Sequence, residues 1–119
     1  MLKRRFDTLS EKIDFIIFRQ QLLFSNDEVS RILFENEVNE QESRAIMDLM
    51  DSYREKLSCG DPASHSQFES EVYSIVPHLK GDYHFCEMLS KAFHDDGRWV
   101  EVFPALYGGL PKYGTFSEK

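Results

Sequence analysis

The chain has 119 residues, a length typical of one domain, and its 41% hydrophobic content, with ten Phe, can build a core without metal or disulfide staples. Its 21 acidic residues against 14 basic ones leave a formal charge of −7, which argues against wrapping nucleic acid or lying on an anionic membrane. Two cysteines, Cys59 and Cys86, make no disulfide framework and read as free buried thiols of a reduced, cytoplasmic protein.

The first 25 residues carry a heptad seam. Leu2, Phe6, Leu9, Ile13, Ile16, Gln20 and Leu23 follow a 4-3-4-3 spacing. This is the period at which one helix seats its side chains between those of another, with Phe6, Ile13 and Gln20 in one layer type and Leu2, Leu9, Ile16 and Leu23 in the other. So narrow a stripe needs a second helix, and we expect it to form a homodimer. The helix is predicted over about residues 3–24. Its first half, solvated except on the stripe, is expected to project toward a partner. Its second half, apolar on several faces, is expected to be buried in the domain. Gln20 is the one polar residue on the seam. It either fixes register and oligomer state or faces water beyond the end of the stripe. Lys3, Arg4 and Arg5 read as solvated flanking positions. No uninterrupted apolar segment follows them, and none in the chain is long enough to span a bilayer.

Ser25 and Glu28 form a Ser-x-x-Glu pattern that predicts a short second helix over about 26–36, with Val29, Ile32 and Leu33 inward. Asn39 and Glu42 repeat it and open a third helix to about Ser58, with Ile46, Leu49, Met50, Tyr53 and Leu57 on its apolar stripe. Gly60 and Asp61–Pro62 end that helix. Residues 58–66 read as a loop between packed halves. Ser66 and Glu69 predict the start of a fourth helix carrying Phe68, Val72, Ile75 and Leu79, kinked or stopped at Pro77. Asp82 caps a fifth helix with Phe85, Leu89 and Phe93 inside, closed by Gly97. A last element over 98–107 places Trp99, Val102, Phe103 and Leu106 at helical spacing. A strand there would have no partner. The expected fold is therefore all-α: a compact multi-helix domain of five or six helices over residues 1–107, with a long N-terminal helix forming a coiled-coil-like seam. Residues 108–119 form an irregular or mobile tail.

Chemistry-bearing motifs are weak. The densest potential metal set is Asp82, His84, Cys86, His94, Asp95 and Asp96. On one helix, residues two apart point away from each other, and neither Cys-x-x-Cys nor His-Glu-x-x-His occurs. Cys59, at a helix C-terminus, meets a dipole that disfavours a thiolate, and Glu87 follows Cys86. Gly108–Gly109 lacks the frame of a phosphate loop. We expect no catalytic residue, no cofactor and no metal. Charge is more informative, because residues 26–56 hold nine acids against four bases. Glu37, Glu40 and Asp48 are expected to mark an acidic face that meets a protein partner.

In order and texture the chain resembles the YhaI-like family, small helical proteins of Bacillus-type bacteria. The resemblance runs over residues 9–107. It lies in Leu9–Ile13 leading into Gln21–Leu22–Leu23, then Ile32–Leu33–Phe34, then Asn39–Glu40–Gln41–Glu42 with Ile46–Met47–Asp48–Leu49. Glu55–Lys56–Leu57, Phe68, Leu89 and Trp99–Val102 complete it. It implies an all-helical, self-associating cytoplasmic protein, and it implies no activity and carries over no functional residue. The expected function is a small protein-binding regulator or adaptor, working as a homodimer in a bacterial cell or its phage. The rivals are an inhibitor blocking a basic site on a target enzyme, an assembly component, and an enzyme of unrecognised type. Clustering of Glu35, Glu37, Glu40, Glu42, Asp48 and Asp51 on one face would favour the inhibitor. A polar cavity holding His84 or His94 with a carboxylate would favour the enzyme.

Overall fold

In the computed structural model, which describes residues 4–109, the chain order is α1 (Leu9–Ser25), α2 (Glu28–Glu35), α3 (Glu40–Ser58), α4 (His65–Ile75), a 3-10 turn (Pro77–Leu79), α5 (Tyr83–Asp95) and α6 (Val102–Tyr107). No strand occurs among the described residues, so the all-α expectation holds. The tail from residue 110 onward and Leu2 of the seam lie outside the described residues.

Caps explain most boundaries. Asn39 accepts from the Glu42 amide (2.7 Å) while the Glu42 carboxylate accepts from the Asn39 amide (3.0 Å), which satisfies two of the free donors at the start of α3. Asn39→Ala is expected to cost about 1 kcal/mol and to lower the thermal midpoint by several degrees in a melt followed by circular dichroism. Asp82 accepts from the Phe85 amide at the start of α5, as expected. Gly97, with φ +80°, follows the end of α5 in a conformation that penalises any Cβ. Pro77 ends α4, whose last residue is Ile75.

Three starts differ from expectation. Helix α1 begins at Leu9, because the Thr8 side chain accepts from the Glu11 amide and Thr8 itself is extended. Residues 4–8 precede the helix, so Phe6 does not sit on it. Ser25 is the last residue of α1; Asn26 closes that helix with φ +49°, and Asp27 caps α2 through the Ser30 amide. Ser64, two residues before the expected Ser66, caps α4. The last helix is shorter than predicted, because residues 98–101 form turns around Trp99, held at φ +48°.

The core joins α2 to α6. Val38, Met50, Val72, Val76, Val102 and Phe103 are fully buried at its centre, where they remove apolar surface from water. Buried tyrosines find partners, as their hydroxyls require. Tyr107 donates to Glu69 (2.8 Å) and Tyr53 donates to Glu71, so α4 receives one tyrosine from α6 and one from α3. The Trp99 indole donates to Asp51 (2.7 Å) and ties the α5–α6 connection to α3.

Helix α1 is attached differently. It packs chiefly against α2, with Leu22 and half-buried Phe18 joining the core, while Phe15 is buried beside Phe6, Arg4 and Arg19. Arg19 reaches back to the end of α2. Its guanidinium donates to the Phe34 carbonyl (2.8 Å) and lies over the Phe34 ring at 3.7 Å. Arg4 is no solvated flank: it donates to both Glu42 carboxylate oxygens (2.5 and 3.1 Å) and to the Glu37 carbonyl (2.8 Å). These contacts fix the segment before α1 against the start of α3. The result is elongated, 48 × 25 × 24 Å.

Candidate functional site

Among the described residues, nothing packs over one face of α1. Leu9, Ile13, Ile16, Ile17, Leu23 and Phe24 are exposed by 72, 47, 41, 48, 57 and 93% respectively. At about 100° per residue, Leu9, Ile13, Ile16, Gln20 and Leu23 fall within an arc of about 80°, and Ile17 and Phe24 widen it to about 120°. Leu22 and Phe18, which join the core, and buried Phe15 lie on the opposite side. The helix is therefore apolar on two faces, and the body of this chain covers one of them. The exposed six present roughly 700 Å² of side chain, above the roughly 300–600 Å² of the largest apolar patch on an ordinary monomer.

Most of the expected seam lies on this face: Leu9, Ile13, Ile16, Gln20 and Leu23 are all exposed on α1. Phe6 is the exception. It precedes the helix and packs its ring against Phe15 at 5.2 Å, within its own chain. Two further members, Ile17 and Phe24, belong to the patch. Residues 15–24, expected to be buried, instead carry apolar residues on two opposite faces, and Ile17 and Phe24 fall on the exposed one. Lys12 and the backbone of Arg19 border one edge, and Ile17 and Phe24 form the other.

The acidic face is not assembled as expected. Glu37 sits in the turn before α3 with φ +54°, and its carboxylate accepts from the Arg4 amide (3.2 Å). It is thus drawn inward, away from α3's outer stripe. Glu40 and Asp48 are exposed on that stripe, interleaved with Arg44, which pairs with Glu40 at 3.0 Å. Glu42 is occupied by its capping bond and by Arg4, and Asp51 by Trp99 and Arg54. Glu37, Glu42 and Asp51 are thus bonded within the chain, so the six acids named above do not form one unpaired negative face.

The histidines do not converge. His84 is exposed, with its ring 4.3 Å from that of Tyr83. His94 lies 3.5 Å from Asp95 at the end of α5, and His78 meets the Asn36 carbonyl at 2.9 Å. No group of three or more metal-ligating side chains gathers among the described residues. Two grooves, of about 540 and 750 Å³, border residues 4–8, and neither is lined by a histidine or a cysteine.

The two thiols differ. Cys86 is buried as expected, but Cys59 is exposed at the end of α3, where the chain turns outward into the loop. Burial, with the Glu69 carboxylate nearby, pushes the Cys86 thiol up to about 12. Tyr73, against the same thiol, is also pushed up to about 12, chiefly by burial. Tyr53 and Tyr107 are raised by burial first and by the carboxylates they donate to second. Each of these groups is held neutral in the fold. The stability this gives is complete below about pH 9, where the unfolded thiol is still protonated, and is lost as pH rises toward 12. Urea denaturation is expected to show constant stability from pH 7 to 9 and a progressive fall above it. Stability that stays flat up to pH 11 would contradict this burial. At pH 8 a thiol reagent is expected to label Cys59 and spare Cys86 until urea is added.

Over the described residues the molecule is thus an all-α multi-helix domain with an exposed apolar face on its first helix. No described helix is long and apolar enough to cross a membrane. Comparison with protein-family models, with curated proteins and with solved structures returns no match.

Proposed function

We propose that this chain is a small acidic protein-binding regulator or adaptor of the bacterial or phage cytoplasm, acting as a homodimer through the outer face of α1. One observation carries the reading: a heptad-spaced apolar stripe on the side of α1 away from its own core. Leaving it in water forfeits the burial that six large apolar side chains offer. A second copy supplies a stripe of the same period and length. The exposed Glu40–Asp48 stripe of α3 is the surface left for a different protein, and its charge would speed encounter with a basic partner. The resemblance to the YhaI-like proteins belongs to the same reading and rests on the residues quoted for it.

The test uses two differently tagged copies expressed together in the native cell. Wild-type copies are expected to co-purify with each other, and Leu9→Ser with Leu23→Ser is expected to abolish this. Glu40→Lys with Asp48→Lys is expected to keep self-capture while losing the second protein. If that charge-reversed variant retains the second protein and His84→Ala or His94→Ala abolishes its capture, the histidine surface carries the function and the reading is wrong.

A further inference from the structure

We propose that the two copies pair through α1 in parallel and in register, with Gln20 facing its own counterpart across the two-fold axis. The inference rests on the self-association reading above and adds the orientation of the second copy. Its first support is layer chemistry. Ile13 and Gln20 occupy one layer type, and Leu9, Ile16 and Leu23 the other. A β-branched residue in the first and Leu in the second favours two parallel strands, a pattern that Ile13, Leu9 and Leu23 follow and from which Ile16 and the polar Gln20 depart.

Gln20 supplies the second support. In a parallel pair every layer meets itself, so Leu9, Ile13, Ile16 and Leu23 stack on their equivalents. The Gln20 amide, both donor and acceptor, then meets a second amide. In an antiparallel pair the two layer types face each other. Either register then sets Gln20 against Leu9 or Ile16, leaves its amide without a partner, and leaves one Leu of the stripe unmatched.

The edges give the third support. Lys12 borders one side of the stripe, and Ile17 and Phe24 the other. Antiparallel pairing brings like edges together and leaves the Lys12 stem with no apolar edge opposite it, the Arg19 guanidinium being turned back onto the Phe34 carbonyl and ring of its own chain. Parallel pairing lays the cationic edge along the apolar one, where the methylene stem of Lys12 covers Ile17 while its charge stays in water. Roughly 700 Å² of apolar side chain per copy approaches the roughly 800 Å² that each partner of a specific complex contributes.

Single cysteines read the orientation. In full-length protein carrying Cys59→Ser, Leu9→Cys and Leu23→Cys are made separately; both positions are exposed, so neither change empties the core. A disulfide needs Cα atoms about 4.4–6.8 Å apart, a distance that facing layers meet. Under mild oxidation each variant alone is expected to form a covalent dimer, at least tenfold faster than Glu11→Cys, which lies off the stripe. Failure of both variants alone, with cross-linking in a mixture of Ile13→Cys and Leu23→Cys or of Leu9→Cys and Gln20→Cys, would establish the antiparallel pair. That result overturns the orientation and leaves self-association standing. Rates equal to that of Glu11→Cys, together with monomeric sedimentation, would overturn both. So would a monomer that binds anionic vesicles through this face.

Discussion

Phe103→Ala is expected to remove about 3–5 kcal/mol of stability, a large part of what a chain of this size has. Phe103 is fully buried on the six-residue helix α6, and its ring lies 5.6 Å from Tyr107 and 6.0 Å from His94. So short a helix has little stability of its own and holds its place through this packing. The substitution leaves a cavity where α6 meets the rest of the core, and a neighbourhood already bonded through Tyr107 to Glu69 cannot collapse freely into it. Urea unfolding followed by Trp99 fluorescence and by circular dichroism measures the loss. A change below about 1 kcal/mol would mean that α6 is not packed as described.

Ile13→Asp is expected to act on association and not on folding. Ile13 is half exposed on the outer face of α1, so the isolated chain gains a solvated carboxylate and its melting temperature should barely move. In the proposed dimer both copies carry the change. Each loses the burial of an isoleucine, about 2 kcal/mol, and must also desolvate a carboxylate or open the seam around it. Together these weaken self-association by on the order of 4 kcal/mol or more, roughly a thousandfold in Kd. Light scattering across a dilution series of wild type and variant reads the shift directly. A variant dimer as tight as the wild type would place the interface elsewhere.

The parts of the fold that were legible in the sequence are those whose signals are local and agree with each other. For α3, the Asn39–Glu42 box, the Ile46–Met50–Tyr53 stripe and Gly60 all specify the same helix, and the structure has it. For α5, Asp82 at one end and Gly97 at the other enclose Phe85, Leu89 and Phe93. Errors arose where two caps compete within a few residues. Ser25 and Asp27, or Ser64 and Ser66, satisfy a capping pattern about equally, and packing decides between them. Asn26, in the left-handed region with its amide donating to the Leu22 carbonyl, ends α1 after Ser25, so Asp27 starts α2. Thr8 does not stand out as a helix start in the sequence, because Leu2 and Phe6 continue the heptad period past it. Phe6 keeps that period in sequence only, since its ring is spent on Phe15.

Much of the candidate site was legible for the same reason: a period is a local signal. The five seam positions from Leu9 to Leu23 share one face in the structure. The acidic face was less legible because its outcome depends on residues far away in sequence. Arg4 reaches Glu42 across 38 positions and draws in Glu37, and Trp99 reaches Asp51 across 48. No spacing rule announces such pairs. They commit Glu37, Glu42 and Asp51 to partners within the chain, while Glu40 and Asp48 lie on the exposed stripe of α3.

Sedimentation equilibrium of the wild-type protein, from low to high micromolar concentration at physiological salt, tests self-association through α1 most directly. The chain weighs 14.0 kDa. The mass is expected to rise with concentration and to level at twice that value, with no larger species. A mass that stays at 14.0 kDa at high micromolar concentration would contradict it, because the apolar face of α1 would then remain in water with no second copy upon it.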